Sequence, residues 1–250
     1  LAFDAAWSDD LHHGLHALLT GERDGYYADF GLVEHLARAV SDGFAYSGQY
    51  SKYRRRRHGN SARSLRGDEL VVCSQNHDQV GNRMHGDRLS TLVSFEATKL
   101  AAGVVLLSPF VPLLFMGEEY GETAPFPYFV SHGDADLVRA VQEGRRKEFE
   151  RFAWKGTPPD PQAEETFRRS LPDPTLADAG QGRTLRFYYR ELLRLRREVP
   201  SLACGARDGV EAGGSEAPAL LWIHRRSDSD AAFAAFHFGD REAEVALPLP

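Results

Sequence analysis

Short apolar runs alternate with amphipathic stretches along residues 1–200 of the chain. Residues 1–7, 70–74 and 113–116 are apolar runs of strand length, and the run at 70–74 has no alternating polar position. A continuous apolar run of this kind is typical of a parallel strand that is covered on both faces. Because the stretches between the runs have helical periodicity, the pattern predicts a parallel α/β fold.

Apolar residues recur at helical spacing in several of the intervening stretches. The predicted helices cover residues 31–44, 90–108, 134–149 and 186–199, and residues 8–27 are predicted to be partly helical. Ser90 is the predicted N-cap residue of the second helix, since a hydroxyl there can accept a backbone hydrogen bond. Pro109 and Pro200 are expected to end the second and the fourth helix.

After residue 200 the hydrophobic period changes to two. Residues 219–226, 231–239 and 244–249 are predicted strands, and the segments at 211–218 and 239–242 are rich in turn residues. An alternating period is typical of an antiparallel sheet with one covered face. We therefore expect an α/β domain over residues 1–200 and an incomplete β-sandwich domain over residues 201–250, with too few strands to close.

The composition is close to the average of globular proteins, with 42% hydrophobic and 26% charged residues among 250. A net charge of -6 gives no electrostatic argument for binding nucleic acid or an anionic membrane. Residues 100–117 carry no charge, but Pro109 and Pro112 favour a buried helix and strand over a membrane span. Cys73 and Cys204 cannot form a disulfide framework. No signal segment opens the chain, so we expect a cytoplasmic protein.

A cluster of polar residues follows each of the three predicted parallel strands. The clusters are "SDDLHH", "QNHDQ" and "GEEYGE". Active sites of parallel α/β folds collect at the carboxyl ends of the strands, so the clusters predict one composite site. The lengths of the strand–helix units suit an open sheet as well as a (β/α)8 barrel.

The first cluster is compatible with several kinds of chemistry. His and carboxylate side chains bind zinc or iron, so a metal site at Asp9, His12 and His13 is one hypothesis. The HExxH motif is absent and Cys residues are scarce, which disfavours it, and we expect no metal. The other interpretations are helix capping with surface His residues, or hydrogen bonding of Asp10 and its neighbours to sugar hydroxyls.

The third cluster and the basic run "YRRRRHG" are less specific. Glu118 and Glu119 are paired carboxylates that could serve as acid and base. Adjacent strand residues point to opposite faces, so only one of them can face a site, and a surface loop or an internal salt bridge is the simpler alternative. The basic run at residues 53–59 is expected to be solvated or to hold acidic neighbours, because the chain is negatively charged overall.

The second cluster, "QNHDQVGNR", surrounds one carboxylate with uncharged hydrogen-bonding groups. Such a set suits a neutral, polyhydroxylated substrate. A phosphate site would favour glycines and a Lys, and a Ser nucleophile would need a G-x-S-x-G elbow, which the sequence lacks.

"QNHDQVGNR" resembles the fourth conserved region of the α-amylase superfamily, in which His-Asp ends the seventh strand of a (β/α)8 barrel. Together with "DDLHH" and "GEEYGE" it is similar to the malto-oligosyltrehalose trehalohydrolase family, which usually has Phe where Leu11 stands. The resemblance implies the C-terminal part of a (β/α)8 TIM barrel, about strands 6–8, followed by the start of a small antiparallel β domain.

The resemblance also implies a reaction and the residues that carry it. The α-1,4-glucosidic bond next to the trehalose end of malto-oligosyltrehalose would be hydrolysed, without a cofactor, to trehalose and a shorter maltodextrin. Asp78 matches the transition-state stabiliser, and His77 would bind the same sugar. Gln79, Asn82 and Arg83 would hold the stabiliser or the neighbouring sugar, Asp9, Asp10, His12 and His13 would line the substrate channel, and Glu118 would contact substrate.

The nucleophile and the general acid of this superfamily lie on earlier strands, so we expect both upstream of Leu1. The 250 residues alone are therefore expected to be inactive. Two further hypotheses stay open at this point: another α-glucan enzyme, such as an amylase or branching enzyme, and a non-catalytic glucan-binding module.

Overall fold

The structure is a computed structural model that describes residues 3–149, 157–203, 205 and 207–244. Its strands are β1 Ala6–Trp7, β2 Tyr50–Ser51, β3 Arg56–Arg57, β4 Leu70–Val72, β5 Val111–Pro112, β6 Val210–Glu216, β7 Ala219–Arg226 and β8 Ala231–His237. Its helices are α1 Asp9–Thr20, α2 Val33–Asp42, α3 His77–Gly81, α4 Leu89–Leu92, α5 Phe95–Leu107, α6 Ala135–Phe149, α7 Glu164–Arg168 and α8 Gly180–Glu198.

The chain divides into two compact units. The first unit comprises residues 1–74, 99–113 and 190–250, and the second comprises residues 75–98 and 114–189. The predicted domain boundary at residue 200 stays a prediction. No helix of the described ranges is both long enough and apolar enough to cross a membrane.

The first unit contains a parallel sheet in the strand order β1-β4-β5. Ala6 lies opposite Leu70 in the register, and Val71 lies opposite Val111. Leu70 and Val72 of the central strand are buried on one face of the sheet, and Val71 on the opposite face is half-buried. The alternation of parallel strands with helices is the one that the apolar runs predict.

The third parallel strand lies earlier than the sequence predicts. We expected it at residues 113–116, whereas β5 is Val111–Pro112, with one further hydrogen bond from Leu113 N to Val72 O at 2.8 Å. Leu114 and Met116 are exposed. Pro112 is tolerated because β5 is an outer strand of the described sheet, where one side needs no N–H donor.

Helix α2 confirms the middle of the helix predicted at residues 31–44. Leu36 and Val40 are fully buried, whereas Leu32 precedes the helix and is 45% exposed. The helix ends at Asp42 because Gly43 adopts a left-handed conformation with φ 89°, so Phe44 lies outside it.

The predicted helix at residues 90–108 is two helices, α4 and α5. Ser90 lies inside α4, where its Oγ donates to Glu122 O, so its predicted role as N-cap was wrong. Ser94 begins α5 instead, since its Oγ accepts a hydrogen bond from Ala97 N at 3.2 Å. The helix ends before Pro109, as predicted.

A three-stranded antiparallel sheet, β6-β7-β8, also belongs to the first unit. Strand β7 coincides with the predicted one, β8 ends at His237 instead of residue 239, and residues 245–249 of the third predicted strand lie outside the described residues. The predicted turn segment at 211–218 was largely wrong, because β6 covers residues 210–216. A Cβ on Gly214 would lie 2.2 Å from Leu220 O, so this glycine permits a close approach within a strand.

Candidate active site

The segment that follows β4 exposes two neighbouring side chains from a buried frame. Residues 72–76 and 79–81 are buried. Between them the side chains of His77 and Asp78 are 59% and 61% exposed, and His77 Nε2 lies 3.6 Å from Asp78 Oδ1. The exposed imidazole of His77 and the exposed carboxylate of Asp78 therefore lie side by side at the start of α3.

A reciprocal capping box fixes the backbone beneath these side chains. Asn76 Oδ1 accepts a hydrogen bond from Asp78 N at 2.7 Å, and Asn76 N donates to Gln79 Oε1 at 3.0 Å. The amide oxygen of Gln79 is used in this box, and its predicted role of holding Asp78 or the neighbouring sugar stays a prediction. Our sequence prediction missed Asn76, although the N-x-x-Q spacing is itself a helix-start signal.

Arg145 of α6 holds the other end of α3. Its Nη1 donates to Asn82 Oδ1 at 3.0 Å, and its Nη2 donates to Gly81 O at 2.9 Å. The guanidinium carbon lies 4.8 Å from the centroid of the Tyr128 ring, which favours a cation–π contact. Arg83 is oriented by Asp87, with 3.6 Å between Arg83 Nε and Asp87 Oδ2. The predicted sugar contacts of Asn82 and Arg83 stay predictions.

Glu118 lies in the protein interior. It is 4% exposed, and Tyr189 donates a hydrogen bond from its hydroxyl to Glu118 Oε1 at 3.4 Å. Burial and the nearby Glu118 carboxylate both raise the pKa of Tyr189 well above its ordinary value. The geometry favours an internal role for Glu118, and its predicted contact with substrate stays a prediction.

Arg88 organises the loop that contains Glu118. The side chain is 1% exposed, its Nε donates to Ala124 O at 2.6 Å, and its Nη1 donates to Met116 O at 2.7 Å. Burial lowers the pKa of Arg88, and the Glu122 carboxylate counteracts part of that effect. A guanidinium this deeply buried keeps both ends of the loop at fixed positions.

In the first unit, Asp10 is partly engaged by the backbone. Its Oδ2 accepts hydrogen bonds from Ala45 N at 2.9 Å and Tyr46 N at 3.3 Å. Burial raises the pKa of Asp10, and these two backbone donors oppose the rise. Asp9 precedes it on an exposed position at the start of α1.

His12 is a core residue. It is 1% exposed, its Nδ1 lies 2.6 Å from Ser74 O, and its Nε2 lies 2.8 Å from the Tyr27 hydroxyl. Both ring nitrogens are engaged inside the protein, which argues against the hypothesis of His12 as a metal ligand. Within the described ranges, no group of three or more His, Cys, Asp or Glu residues is arranged to hold a metal ion.

His13 lies with Asp10 in a small pocket. Tyr26, Arg54 and His58 also line this pocket, so the basic run at residues 53–59 contributes to it instead of being wholly solvated. Burial lowers the pKa of His13 to about 4, and the nearby His16 and Arg54 add to this effect. His13 is therefore neutral near pH 7 and can both donate and accept hydrogen bonds.

Each of the two clusters of candidate residues lies within one compact unit. His77 and Asp78 belong to the second unit, and Asp10 and His13 belong to the first. Active sites of parallel α/β folds collect at the carboxyl ends of the strands, which predicts that both clusters act on one substrate. This stays a prediction.

Sequence comparison finds curated relatives that are named for the same enzymatic activity. No protein-family model matches the chain. A malto-oligosyltrehalose trehalohydrolase from Rhizobium sp. (strain M-11) is 48% identical over 200 residues, which cover 79% of this chain and 34% of the relative. One from Deinococcus radiodurans is 38% identical over 255 residues, which cover 98% of this chain and 42% of the relative. The chain thus spans 34% to 42% of the length of these two curated relatives.

Solved structures have the same fold. A Salmonella typhimurium protein, provisionally named an α-amylase, superposes with a TM-score of 0.88 at 39% identity over 98% of this chain and 42% of its own. A pullulanase from Paenibacillus barengoltzii in complex with maltohexaose and α-cyclodextrin gives a TM-score of 0.56 at 16% identity, over 98% of this chain and 33% of its own. The second likeness concerns the fold alone. The predicted fold class, part of a (β/α)8 barrel followed by an antiparallel β segment, is confirmed.

Proposed function

Because the chain is homologous to the malto-oligosyltrehalose trehalohydrolases of the α-amylase superfamily, we propose that it is the C-terminal part of such an enzyme. The proposed reaction is hydrolysis of the α-1,4-glucosidic bond next to the trehalose end of malto-oligosyltrehalose. Trehalose and a shorter maltodextrin are released. Sequence identities of 38% and 48% to curated relatives support this assignment.

The exposed pair of His77 and Asp78 carries the proposal. Both side chains leave a rigid, buried frame, and Asp78 is anchored through its own backbone N–H by Asn76. A carboxylate held in this way can bind sugar hydroxyls more tightly as positive charge develops on the sugar ring. Asp78 is therefore the proposed transition-state stabiliser, and His77 the proposed donor to the same sugar.

The remaining predicted residues take direct or indirect roles. Asp10 and His13 offer a carboxylate and a neutral imidazole in one pocket, which suits hydrogen bonds to sugar hydroxyls. Gln79 and His12 act through the frame, since their polar atoms bind Asn76 and Ser74. We propose no cofactor, and the cytoplasm stays the predicted location.

Retention of configuration needs a nucleophile and a general acid, with carboxyl groups about 5–5.5 Å apart. We assign neither role to a residue of this chain. The proposal therefore requires a longer polypeptide that carries these 250 residues.

The reaction is tested by incubating the longer polypeptide and the isolated chain with malto-oligosyltrehalose and separating the products by chromatography. We expect trehalose from the longer polypeptide and no turnover by the isolated chain. Maltose without trehalose would assign the protein to another α-glucan enzyme, such as an amylase or branching enzyme. Glucan binding without any product would favour a non-catalytic binding module.

A further inference from the structure

A cavity of about 530 Å³ lies in the second unit, apart from the 76–83 segment. It is formed by the loop after Glu118, the turn near Leu176 and the first residues of α5 and α8. Its volume falls within the range of about 300–1,000 Å³ that is typical of small-molecule sites.

The walls of the cavity are held in place by a buried carboxylate behind them. Glu122 is 1% exposed, and its Oε1 accepts hydrogen bonds from Thr123 N at 2.8 Å and Ala124 N at 2.7 Å. Its Oε2 accepts from Asp173 N at 2.6 Å and from the Tyr120 hydroxyl at 3.3 Å. One side chain thus ties the 120–124 loop to the 173–175 turn, so the cavity is formed before any ligand arrives.

Gly182 allows close backbone packing in the part of the cavity wall formed by α8. A Cβ on Gly182 would lie 2.0 Å from Leu176 O and 3.0 Å from Tyr120 O. Only a residue without a side chain allows the helix start, the turn and the loop to approach this closely. The cavity therefore depends on close backbone packing as well as on Glu122.

The side chains that line the cavity favour one chemical class of ligand. None of the lining residues has a charged side chain, which disfavours phosphates, carboxylates and cations. The half-buried rings of Phe95 and Tyr120 offer apolar surface, and the Thr123 hydroxyl and the Gln181 amide make no side-chain hydrogen bond within the described ranges. Apolar rings beside neutral hydrogen-bonding groups match a sugar, which has an apolar face and a hydroxylated edge.

We propose that this cavity is a second glucan-binding site, separate from the site of Asp78. It takes one or two glucosyl units of a maltodextrin, with a sugar face on the aromatic rings and hydroxyls bonded to Thr123 and Gln181. The identity of the sugar as a glucan rests on the proposed function, whereas the preference for a neutral polyol rests on the lining alone.

The experiment titrates the longer polypeptide that carries these 250 residues with maltotriose and follows its backbone amide shifts by NMR. We expect saturable shifts at Gly121, Thr123 and Gly182. The double variant Thr123→Val/Gln181→Met keeps the shape of the walls but removes both polar groups, and it should weaken binding about tenfold. Thr157→Val, an equivalent change at an exposed position outside the cavity, should leave the affinity unchanged.

Two further measurements distinguish a failure of this inference from a failure of the proposed reaction. Asp78→Asn should leave the cavity shifts intact, and glucose 6-phosphate should bind no more tightly than glucose. Absence of shifts at the cavity, equal affinity in the double variant, or tighter binding of the phosphate ester would overturn the second site. Cavity binding combined with no trehalose release by the longer polypeptide would contradict the reaction alone.

Discussion

Asn76 holds the backbone of Asp78, and its own side chain is buried. Its carboxamide oxygen caps the first turn of α3 by accepting from Asp78 N, and Gln79 completes the box. The buried Asn76 and the exposed Asp78 therefore have different roles. Asn76 and Gln79 hold the backbone of this turn, and the exposed side chains of His77 and Asp78 are the ones proposed to contact substrate.

We expect Asn76→Ala to lower the free energy of unfolding by about 1 kcal/mol, because the helix loses its N-cap. Urea unfolding followed by circular dichroism measures the change. Asn60→Ala, a matched change at an exposed position, should have an effect within about 0.5 kcal/mol. Equal stabilities of the two variants would show that the capping box contributes nothing.

His13 makes stability depend on pH in a defined direction. Its pKa is about 4 in the folded chain against an ordinary value of 6.5, because burial disfavours the charged ring. The unfolded chain therefore binds a proton that the folded chain does not, so stability is lost as the pH falls from 6.5 towards 4. The loss reaches up to about 3 kcal/mol for this residue.

The prediction for His13 is tested by comparing the wild type with His13→Gln at pH 7 and pH 4. We expect the wild type to lose more unfolding free energy than the variant over this interval, since Gln does not titrate. The raised pKa of Asp10 acts in the opposite direction, since the folded chain then binds a proton more readily than the unfolded chain as the pH falls. Identical losses would mean that His13 is protonated in the fold as easily as in water.

At the scale of the elements, the sequence predicts the existence of helices and strands better than their boundaries or their covered faces. The apolar stripe of α2 is visible because burial repeats along it, whereas burial does not alternate along β7 or β8. The break between α4 and α5 and the strand β6 depend on tertiary contacts. Ser90 bonds to Glu122, and Gly214 fits against Val33, and both of these neighbours are distant in sequence.

The sequence names candidate site residues but does not predict which of them are exposed. His77 and Asp78 are exposed as a substrate contact requires, whereas His12 and Glu118 are buried with partners inside the protein. A local motif contains no information on which polar groups the rest of the fold will use. Asn76 illustrates the converse, since its capping signal was present in the sequence.

Gly214→Ala should destabilise the antiparallel sheet. The new Cβ would lie 2.2 Å from Leu220 O and 2.6 Å from Val33 Cγ1, so the backbone of β7 or helix α2 must move. We expect a loss of about 1–3 kcal/mol, the usual cost of overpacking. Thermal and urea unfolding measure it.

The same substitution in α6 should have the opposite sign. A Cβ on Gly144 would meet nothing within 4 Å, and alanine is the better helix former by about 0.5–1 kcal/mol. Gly144→Ala is thus a matched control for Gly214→Ala. Two variants with equal stability would contradict the close approach in β6.

At the scale of the whole molecule, the chain accounts for 34% to 42% of its curated relatives. Large apolar side chains such as Phe3, which is 81% exposed, and Trp7, which is 49% exposed, lie just before and in β1, an outer strand of the parallel sheet. Parallel strands are normally covered on both faces. We expect the longer polypeptide to cover these residues and to supply the nucleophile and the general acid.

The central claim is that Asp78 stabilises the transition state of glucan hydrolysis. The most direct measurement compares trehalose release from malto-oligosyltrehalose by the longer polypeptide and its Asp78→Asn variant, with binding of the same substrate measured for both. Asp228→Asn, which alters an exposed carboxylate between β7 and β8, is the control. We predict that Asp78→Asn lowers kcat at least a hundredfold, about the lower end for a lost transition-state contact, while substrate affinity changes only a few-fold. Unchanged turnover in Asp78→Asn would contradict the account.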